Sequence, residues 1–411
     1  MPSRATRRSR PGPLLRPRRG ALLIVAATIA LLSTTAASAN DVDAARGQNS
    51  VKTVAGVEVL GEVVVPSGTM FEETEIGGLS SISFDPARRL YYVLADDQGN
   101  RTDANGEPTG DPVRHYTIDI DLDDGTLDDG DVTFEAVTPL LDLRRRAFAP
   151  GGVDPEGLVV RGGSLYISSE GNTLSDPIID PFIRRYNRQG RVVGQLPIPD
   201  HYLSNGTDRG VRFNLAFESL NLTPNGATLV TAAEGALFQD GPASTFENGS
   251  LARILEYRFG SRGASAEYVY EVEPWAEPSN IFGVNGIVEV LPIDNAGTML
   301  VMERSFSVGG TLGGGTGNVV SIYEISTDGA TDVLEIDALY EDGAPVELVP
   351  VSKRLVFEFD DLGVPIDNIE GMTFGPPLPD GRQTLMIVSD NNFSANQFTQ
   401  FVALALDIVE D

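Results

Sequence analysis

The sequence contains no cysteine, and only two of its 411 residues are histidine. The first absence excludes a disulfide framework, a cysteine nucleophile and a thiolate metal ligand. The histidines, His115 and His201, do not belong to an Arg-His-Gly motif. There is also no Gly-x-Ser-x-Gly segment, which argues against a lipase-type triad. If the chain is a hydrolase, water activated by a metal ion is the route that is left.

Basic residues are scarce. Thirty Lys and Arg stand against 59 Asp and Glu, and the formal net charge is −29. Because binding to a phosphate backbone needs a basic surface, this balance argues against a nucleic-acid partner. An acidic surface favours cation binding or serves solubility.

Long apolar runs are also missing. The one apolar run near the N-terminus, Ala21–Leu32, is shorter than the ~20 residues that span a bilayer. Basic residues precede it, and Ala37-Ser38-Ala39 follows it as a small-x-small cleavage site. This order predicts a secretory signal peptide at residues 1–39, exported by the Sec or the twin-arginine route, with a membrane anchor as the alternative. We expect residues 40–411 to form one domain that is secreted or lies in the periplasm or cell envelope, with no stable transmembrane segment.

What the sequence does contain is a repeat. An apolar strand, a turn, a second apolar strand and an acidic ending recur at Gly77–Asp97, Asp154–Gly171, Phe217–Gly235, Asn285–Ser305 and Asn368–Asn392. Two more β-branched and aromatic runs follow each of the first four copies, whereas the fifth copy is followed by one run. The missing strand is available at Val57–Val65. The pattern predicts an all-β propeller of about five four-stranded blades, closed by an N-terminal strand.

Two alternative architectures stay open at this point. A sixth blade is required if Leu348–Phe359 begins another copy. If there are five blades, Thr331–Leu339 is predicted to be the outer strand of the fourth blade. A pair of β-sandwiches is the other alternative, but it does not explain the recurring hairpin with its acidic ending.

Carboxylates cluster where each innermost strand begins and the next strand ends. These two points lie on the same face of a propeller, and long loops on one face commonly carry function. We therefore predict a metal site on that face, and its candidate ligands are Asp97, Glu156, Glu170, Glu234, Glu303, Glu370 and Asp390. Ca²⁺ is the cofactor that we expect, because converging carboxylates repel one another and Ca²⁺ prefers oxygen ligands.

Other residues near these acids suit a phosphate or another oxyanion. Glu218, Arg212, Arg304 and Lys353 are the candidate catalytic residues, and Asn214, Asn391 and Asn392 are the candidate substrate-binding residues. The segment Asp119-x-Asp121-x-Asp123, in contrast, lacks the Gly and the Glu of a calcium loop and falls at a turn on the opposite face.

The order of these motifs resembles the phytase-like family, described as "esterase-like activity of phytase". The resemblance rests on Asp154–Gly157 and Asn368–Gly371 as N/D-x-E-G openings, on Arg212–Glu218, on Glu303-Arg304 and on Ser389–Asn392. It implies Ca²⁺-assisted hydrolysis of a small-molecule phosphate ester such as phytate. A non-catalytic binding or scaffold propeller and a metal-dependent lactonase or other esterase are the alternatives. Gly77-Gly78 and Asn285-Gly286 depart from the pattern, so we expect an asymmetric ring.

The small-x-small motif generates the first test. Cleavage should follow Ala39, so the intact mass of the exported protein should correspond to a chain that begins at Asn40. Exported protein that still begins at Met1 would contradict the signal peptide and favour the membrane anchor.

Overall fold

Hydrogen bonding joins the β-branched runs into five antiparallel sheets of four strands each. The structure is a computed structural model that describes residues 50–103 and 105–410, so the predicted signal peptide lies outside the described residues. The five sheets are the blades of a β-propeller, and the predicted fold class is confirmed. Within the described part of the chain, no helix is both long and apolar enough to cross a bilayer.

The strands of each blade are named A to D from the axis outward. Blade one comprises Leu79–Asp85, Leu90–Ala95, Arg114–Ile120 and Val132–Pro139. Blade two comprises Pro155–Arg161, Ser164–Ser169, Phe182–Asn187 and Val192–Leu196. Blade three comprises Asn221–Leu222, Thr228–Ala232, Ser250–Arg258 and Ala266–Val272. Blade four comprises Gly283–Pro292, Thr298–Ser307, Asn318–Ser326 and Ser352–Glu358. Blade five comprises Asn368–Phe374, Gln383–Asp390, Thr399–Glu410 and, from the N-terminus, Lys52–Val65.

Short elements decorate the connections. One α-helical turn, Phe359–Leu362, links blades four and five. The 3₁₀ turns are Asp200–Tyr202, Phe238–Asp240 and Gly313–Gly315. Two small hairpins pair Met70–Phe71 with Thr74–Glu75 and Tyr340–Glu341 with Ala344–Pro345.

Burial explains why the inner and outer strands differ in sequence. Strands covered on both faces, such as Leu90–Ala95 and Thr298–Ser307, are almost continuously buried. The outermost strand of blade two, Val192–Leu196, alternates between partly buried and exposed residues. The inner strands therefore read as apolar runs and the outer strands as alternating ones.

The glycine of the N/D-x-E-G motif permits close packing of strands A around the axis. A Cβ atom on Gly157 would lie 2.7 Å from the backbone nitrogen of Leu220 in blade three. One on Gly371 would lie 2.8 Å from Cα of Ser81 in blade one. Side chains at these two positions would push neighbouring blades apart, so the motif has a structural role beside its carboxylate.

Apolar clusters fill the five spaces between adjacent blades. Each contains side chains from both blades, for example Leu94 with Leu158 between blades one and two, and Val388 with Leu79 between blades five and one. The other three spaces are filled in the same way. Because the last space is packed like the others, the ring is closed by a core and not only by strand pairing.

The N-terminal strand completes blade five, as predicted, and is longer than the predicted Val57–Val65. Lys52–Val65 pairs antiparallel with Thr399–Glu410, from Lys52 opposite Glu410 to Val65 opposite Thr399. Val54 and Val63 on this strand are buried in the two clusters that flank blade five. The pairing removes the open edge that the C-terminal strand would otherwise expose.

The outer strand of blade four differs from the predicted one. Strand D is Ser352–Glu358 and not Thr331–Leu339, which forms turns outside the sheet. Leu348–Phe359 therefore supplies the outer strand of an existing blade and does not begin a sixth one. Val333 and Leu339 instead pack as an apolar cover against Val269 on strand D of blade three.

Deletion of Lys52–Val65 tests the closure. The truncated protein should unfold at least ~5 °C below the full chain, because it exposes a sheet edge and unburies Val54 and Val63. Val64→Ser is the control, since Val64 is 43% exposed and its substitution should leave the melting temperature nearly unchanged. Equal melting temperatures of the truncated and full chains would refute the closure role.

Candidate functional site

A β-bulge at the start of strand A directs a glutamate to the axis in blades two, three and five. In blade five, Ile369 and Gly371 pair with consecutive residues of strand B, so Glu370 is the extra residue. The same register shift spans Glu156 in blade two. In blade three the register shift lies between Phe217 and Asn221, each of which pairs with a residue of the next strand. Glu218 falls between these two residues. Bulges re-aim side chains in this way, and all three glutamates line one cavity on the axis.

Strand B supplies a second circle of groups at equivalent positions just beyond or within its end. Arg304 pairs with Gly286, and Asp390 pairs with Asn368. In the other blades, the residues at this position are Asp96, Glu170 and Glu234. The backbone N–H of each donates to the carbonyl oxygen two residues before the extra residue of the bulge. Five equivalent positions thus hold four carboxylates and one guanidinium.

These side chains converge on a cavity of about 1090 Å³. The carboxylates that line it are Asp96, Asp154, Glu156, Glu218, Glu234, Asp367, Glu370 and Asp390. Glu170 is buried beside them, with a carboxylate oxygen within 4.8 Å of ligand atoms of Glu218 and Glu234. The site therefore gathers nine carboxylates, and Arg304 is the one basic residue that lines the cavity within the described residues.

Arg304 balances part of this charge. Its Nη1 donates to Asn368 Oδ1 at 2.5 Å and also pairs with Glu370. Its Nη2 lies 3.6 Å from Oε1 of Glu234. A Cβ atom on Gly286 would overlap Cγ of Glu234, so glycine at that position is what allows Glu234 to reach across blade four.

Burial and mutual repulsion raise the pKa values of most of these acids. Burial raises the pKa of Asp154 to about 6 and that of Glu234 to about 7, with the negative charge of Glu370 adding to both shifts. The pKa values of the remaining shifted acids lie well above their usual range, first from burial and then from neighbouring carboxylates; these are Asp96, Glu156, Glu170, Glu218 and Asp390. Without a cation, part of the site is therefore protonated near neutral pH.

Two groups of carboxylates have the geometry to hold a metal ion. Ligand atoms of Asp154, Glu156 and Glu170 lie within 4.8 Å of one another, and so do those of Glu170, Glu218 and Glu234. Glu170 is common to both groups. Hard oxygen donors at this spacing suit a divalent cation such as Ca²⁺.

Several predicted site residues are brought together as expected. The cavity is lined by Glu156, Glu218, Glu234, Glu370, Asp390, Arg304, Asn214 and Asn392, and Glu170 completes both carboxylate groups. The face on which they meet is the predicted one, because the cavity lies where strands A begin and strands B end.

Asp97 and Glu303 do not lie in the cavity, and both errors are of a single residue. Successive side chains of an extended chain point to opposite sides, so Asp96 and Arg304 face the axis and their neighbours turn away. Asp97 accepts from Arg101 at 2.8 Å and Arg114 at 3.1 Å. Burial alone would raise the pKa of Asp97, but these guanidinium partners outweigh it and the pKa is lowered.

Glu303 and Lys353 form an ion pair away from the axis. Lys353 lies on strand D of blade four, not in a loop, and its Nζ donates to Oε1 of Glu303 at 2.6 Å. Glu303 also accepts from the Tyr270 hydroxyl at 2.6 Å. The pair therefore joins blade four to blade three, and the expectation that it belongs to the site is wrong.

Arg212 and Asn391 hold loops instead of lining the cavity. Arg212 donates to the carbonyl oxygens of Ala236 and Gly241 at 3.0 and 2.7 Å. Asn391 is fully buried, and its Oδ1 accepts from the backbone N–H groups of Gly78 and Phe393. Both side chains position the chain that surrounds the site.

Three carboxylates of the cavity, Asp96, Asp154 and Asp367, and the amide of Asn368 were not among the predicted site residues. Asn368 donates to Glu370 at 2.8 Å and to Asp390 at 3.3 Å, so it orients two carboxylates. Asp154 and Asn368 are the first residues of the two N/D-x-E-G motifs, and that shared position is the signal that could have identified them.

The discounted segment Asp119–Asp123 forms part of a hairpin on the opposite face. Asp121 and Asp123 are exposed, and Asp121 Oδ1 accepts from the backbone N–H of Asp123 at 2.9 Å. Within the described residues, no metal-binding group includes these aspartates.

The fold and this cavity define a five-bladed propeller with an acidic axial site. A family model described as "Phytase-like: Esterase-like activity of phytase" matches residues 74–393. The chain belongs to this phytase-like family. No curated protein matches the sequence significantly.

Several solved structures are similar to this chain at low sequence identity. The periplasmic gluconolactonase of Pseudomonas aeruginosa is 14% identical, with a TM-score of 0.34 over 82% of this chain and 86% of that one. The hydrazine synthase of Kuenenia stuttgartiensis is 14% identical, with a TM-score of 0.33 over 84% of this chain and 66% of that one. A structure titled RS223-Beta-xylosidase is 10% identical, with a TM-score of 0.38 over 80% of this chain and 92% of that one.

The raised pKa values predict how pH affects the metal-free protein. A carboxyl that binds its proton more tightly in the folded state stabilises the fold at low pH, and this contribution is lost as pH rises through the folded-state pKa. For Asp154 and Glu234 the loss should occur between about pH 4 and 7. In EDTA, the melting temperature should therefore fall from pH 5 to pH 8.

Glu234→Gln is the matched control for this pH effect. The amide keeps the shape but cannot ionise, so the fall in melting temperature across the same range should be smaller than in the unmodified protein. A fall of the same size in both proteins would show that charges elsewhere cause the pH dependence.

Proposed function

We propose that this protein is an exported hydrolase of phosphate esters that uses divalent cations, Ca²⁺ first among them, at the acidic axial cavity. The observation that carries the proposal is the pair of carboxylate groups that share Glu170 at the axis. Membership of the phytase-like family supports the choice of phosphate esters. The basic and apolar N-terminal segment supports export.

Electrostatics explain why such a site needs cations. If all nine carboxylates were ionised, they would face a single guanidinium, and the cavity would repel a phosphate. Bound cations would neutralise the acids and reverse the local potential, so a strongly acidic site is compatible with an anionic substrate. Arg304 then adds a fixed positive charge at the axis.

The residues of this chain have separate roles in the proposed reaction. Asp154, Glu156, Glu170, Glu218 and Glu234 would hold the cations. A bound cation supplies polarisation of the phosphoryl oxygens and a water molecule of lowered pKa. Arg304 would contact the phosphoryl group, and Asn368 would keep Glu370 and Asp390 oriented toward the cavity.

The decisive experiment compares ester classes. The purified protein would be assayed with phytate, with a chromogenic phosphate monoester and with a carboxyl ester or lactone, each with Ca²⁺ and with EDTA. Ca²⁺-dependent release of phosphate is the expected result. Hydrolysis of the carboxyl ester alone would favour a lactonase or other esterase, and activity on none would favour a non-catalytic binding propeller.

Glu218→Gln tests the metal site directly. Ca²⁺ should raise the melting temperature of the unmodified protein, because a ligand that binds only the folded state stabilises it. The substitution removes one ligand charge, so the Ca²⁺-induced rise should shrink and phosphatase activity should fall by at least ~10-fold.

Asp121→Asn is the control, since it removes the same charge from an exposed hairpin on the opposite face. Both the Ca²⁺ response and the activity should survive this change. If Asp121→Asn loses the Ca²⁺ response and Glu218→Gln keeps it, the metal belongs to the hairpin and the axial proposal fails.

A further inference from the structure

The cavity has a second wall that differs in chemistry from the carboxylates. Over blades three and four it is formed by aromatic side chains, namely Phe213, Trp275, Phe282 and Phe306. The rings of Phe282 and Phe306 lie 6.5 Å apart. These residues come from loops and strand ends on the same face as the metal-binding groups, so one ligand can touch both walls.

Two of these rings are open to solvent. Phe213 is 49% exposed and Phe282 is 54% exposed. Exposed aromatic rings that line a cavity mark a surface on which an apolar ring can be buried. The metal-binding groups do not need such a surface, because a cation and a phosphate offer no apolar face.

Unpaired polar atoms belong to residues that line the same cavity as the aromatic rings. Ser250 Oγ, Trp275 Nε1, Asn285 Oδ1 and Asn318 Oδ1 are buried and have no hydrogen-bond partner among the described residues. All four residues line the cavity. Ser250, Asn285 and Asn318 are more than nine-tenths buried. A buried polar group without a partner is costly, so these atoms need water or a ligand.

Asn285 shows which kind of group is needed. Its Nδ2 donates to the carbonyl oxygen of Glu273 at 2.9 Å and to Glu303 at 2.7 Å, which fixes the orientation of the amide. Oδ1 is therefore an acceptor without a donor. Trp275 Nε1, in contrast, is a donor without an acceptor.

A ligand that satisfies this wall must have an apolar face and must both donate and accept hydrogen bonds. A hydroxylated ring meets all three conditions, because its C–H face stacks on aromatic rings and its hydroxyls act as donors and acceptors. We infer that the wall of blades three and four is a subsite for a hydroxylated ring such as a sugar, carried by the phosphate ester that the acidic side binds. This inference rests on the proposed function for the phosphate but not for the ring.

The proposed subsite fits phytate less well than it fits a sugar monophosphate. A fully phosphorylated ring has no free hydroxyl for Asn285 or Asn318 and brings further negative charge to the aromatic wall. A monophosphate of a neutral sugar matches both walls, so it should be the better ligand.

Tryptophan fluorescence can report binding at this wall, because Trp275 is the single tryptophan in the sequence. Its emission would be followed in Ca²⁺ while glucose 1-phosphate, glycerol phosphate, phenyl phosphate and inorganic phosphate are added in turn. Glucose 1-phosphate should change the emission at concentrations where glycerol phosphate and inorganic phosphate do not. Phosphate release from each ester would be measured in parallel.

Two variants keep the reporter and alter the subsite. Phe282→Ala removes an exposed ring, and Ser250→Ala removes an unpaired hydroxyl. Each should weaken binding of glucose 1-phosphate about fivefold and lower phosphate release from glucose 1-phosphate more than from glycerol phosphate. Leu174→Ala is the matched control, because Leu174 is an exposed apolar residue on the same face and does not line the cavity.

The outcomes separate the two proposals. An emission change with glucose 1-phosphate but no phosphate release would retain the ring subsite and refute the phosphatase. Phosphate release without any emission change, or with equal loss on all esters in the variants, would refute the ring subsite. Stronger binding of phenyl phosphate than of glucose 1-phosphate would also overturn it, because the wall would then select an apolar ring without hydroxyls.

Discussion

Repulsion among carboxylates on the propeller axis is the constraint on which the rest of the site depends. The β-bulges place Glu156, Glu218 and Glu370 there, and strand B adds four more acids at equivalent positions. Arg304 offsets only part of this charge, and the packed interblade spaces hold the acids in place. Two groups of these carboxylates therefore have the geometry to hold a metal ion.

The blades are not equivalent, and the differences create the polarity of the cavity. Where other blades carry a carboxylate at the end of strand B, blade four carries Arg304, and Val288 is its bulge residue. Its neighbouring loops and strand ends bring Trp275, Phe282 and Phe306. A departure from the repeat in one blade thus divides the cavity into an ionic side and a side of aromatic and amide groups.

The architecture and most axial acids could be predicted from the sequence, because the hairpin repeat and its acidic ending recur at five places. The errors at Asp97 and Glu303 arose because a strand has a side-chain period of two, so a shift of one residue between repeats exchanges the axial residue for its neighbour. The outer strand of blade four was misplaced because Thr331–Leu339 and Ser352–Glu358 have similar apolar patterns, and only packing against blade three distinguishes them. The unpaired atoms of Asn285 and Trp275 depend on tertiary contacts that no local pattern encodes.

Blade five brings the two ends of the described chain together, with Lys52 opposite Glu410 in the same sheet. The order of the blades in space is therefore independent of where the polypeptide starts. A circular permutant that joins these ends and opens the chain at the exposed turn near Asn225 would preserve every strand pair described above. In such a protein, blade five would be complete before the C-terminus is synthesised. Blade three would then be the blade that the C-terminal strand completes.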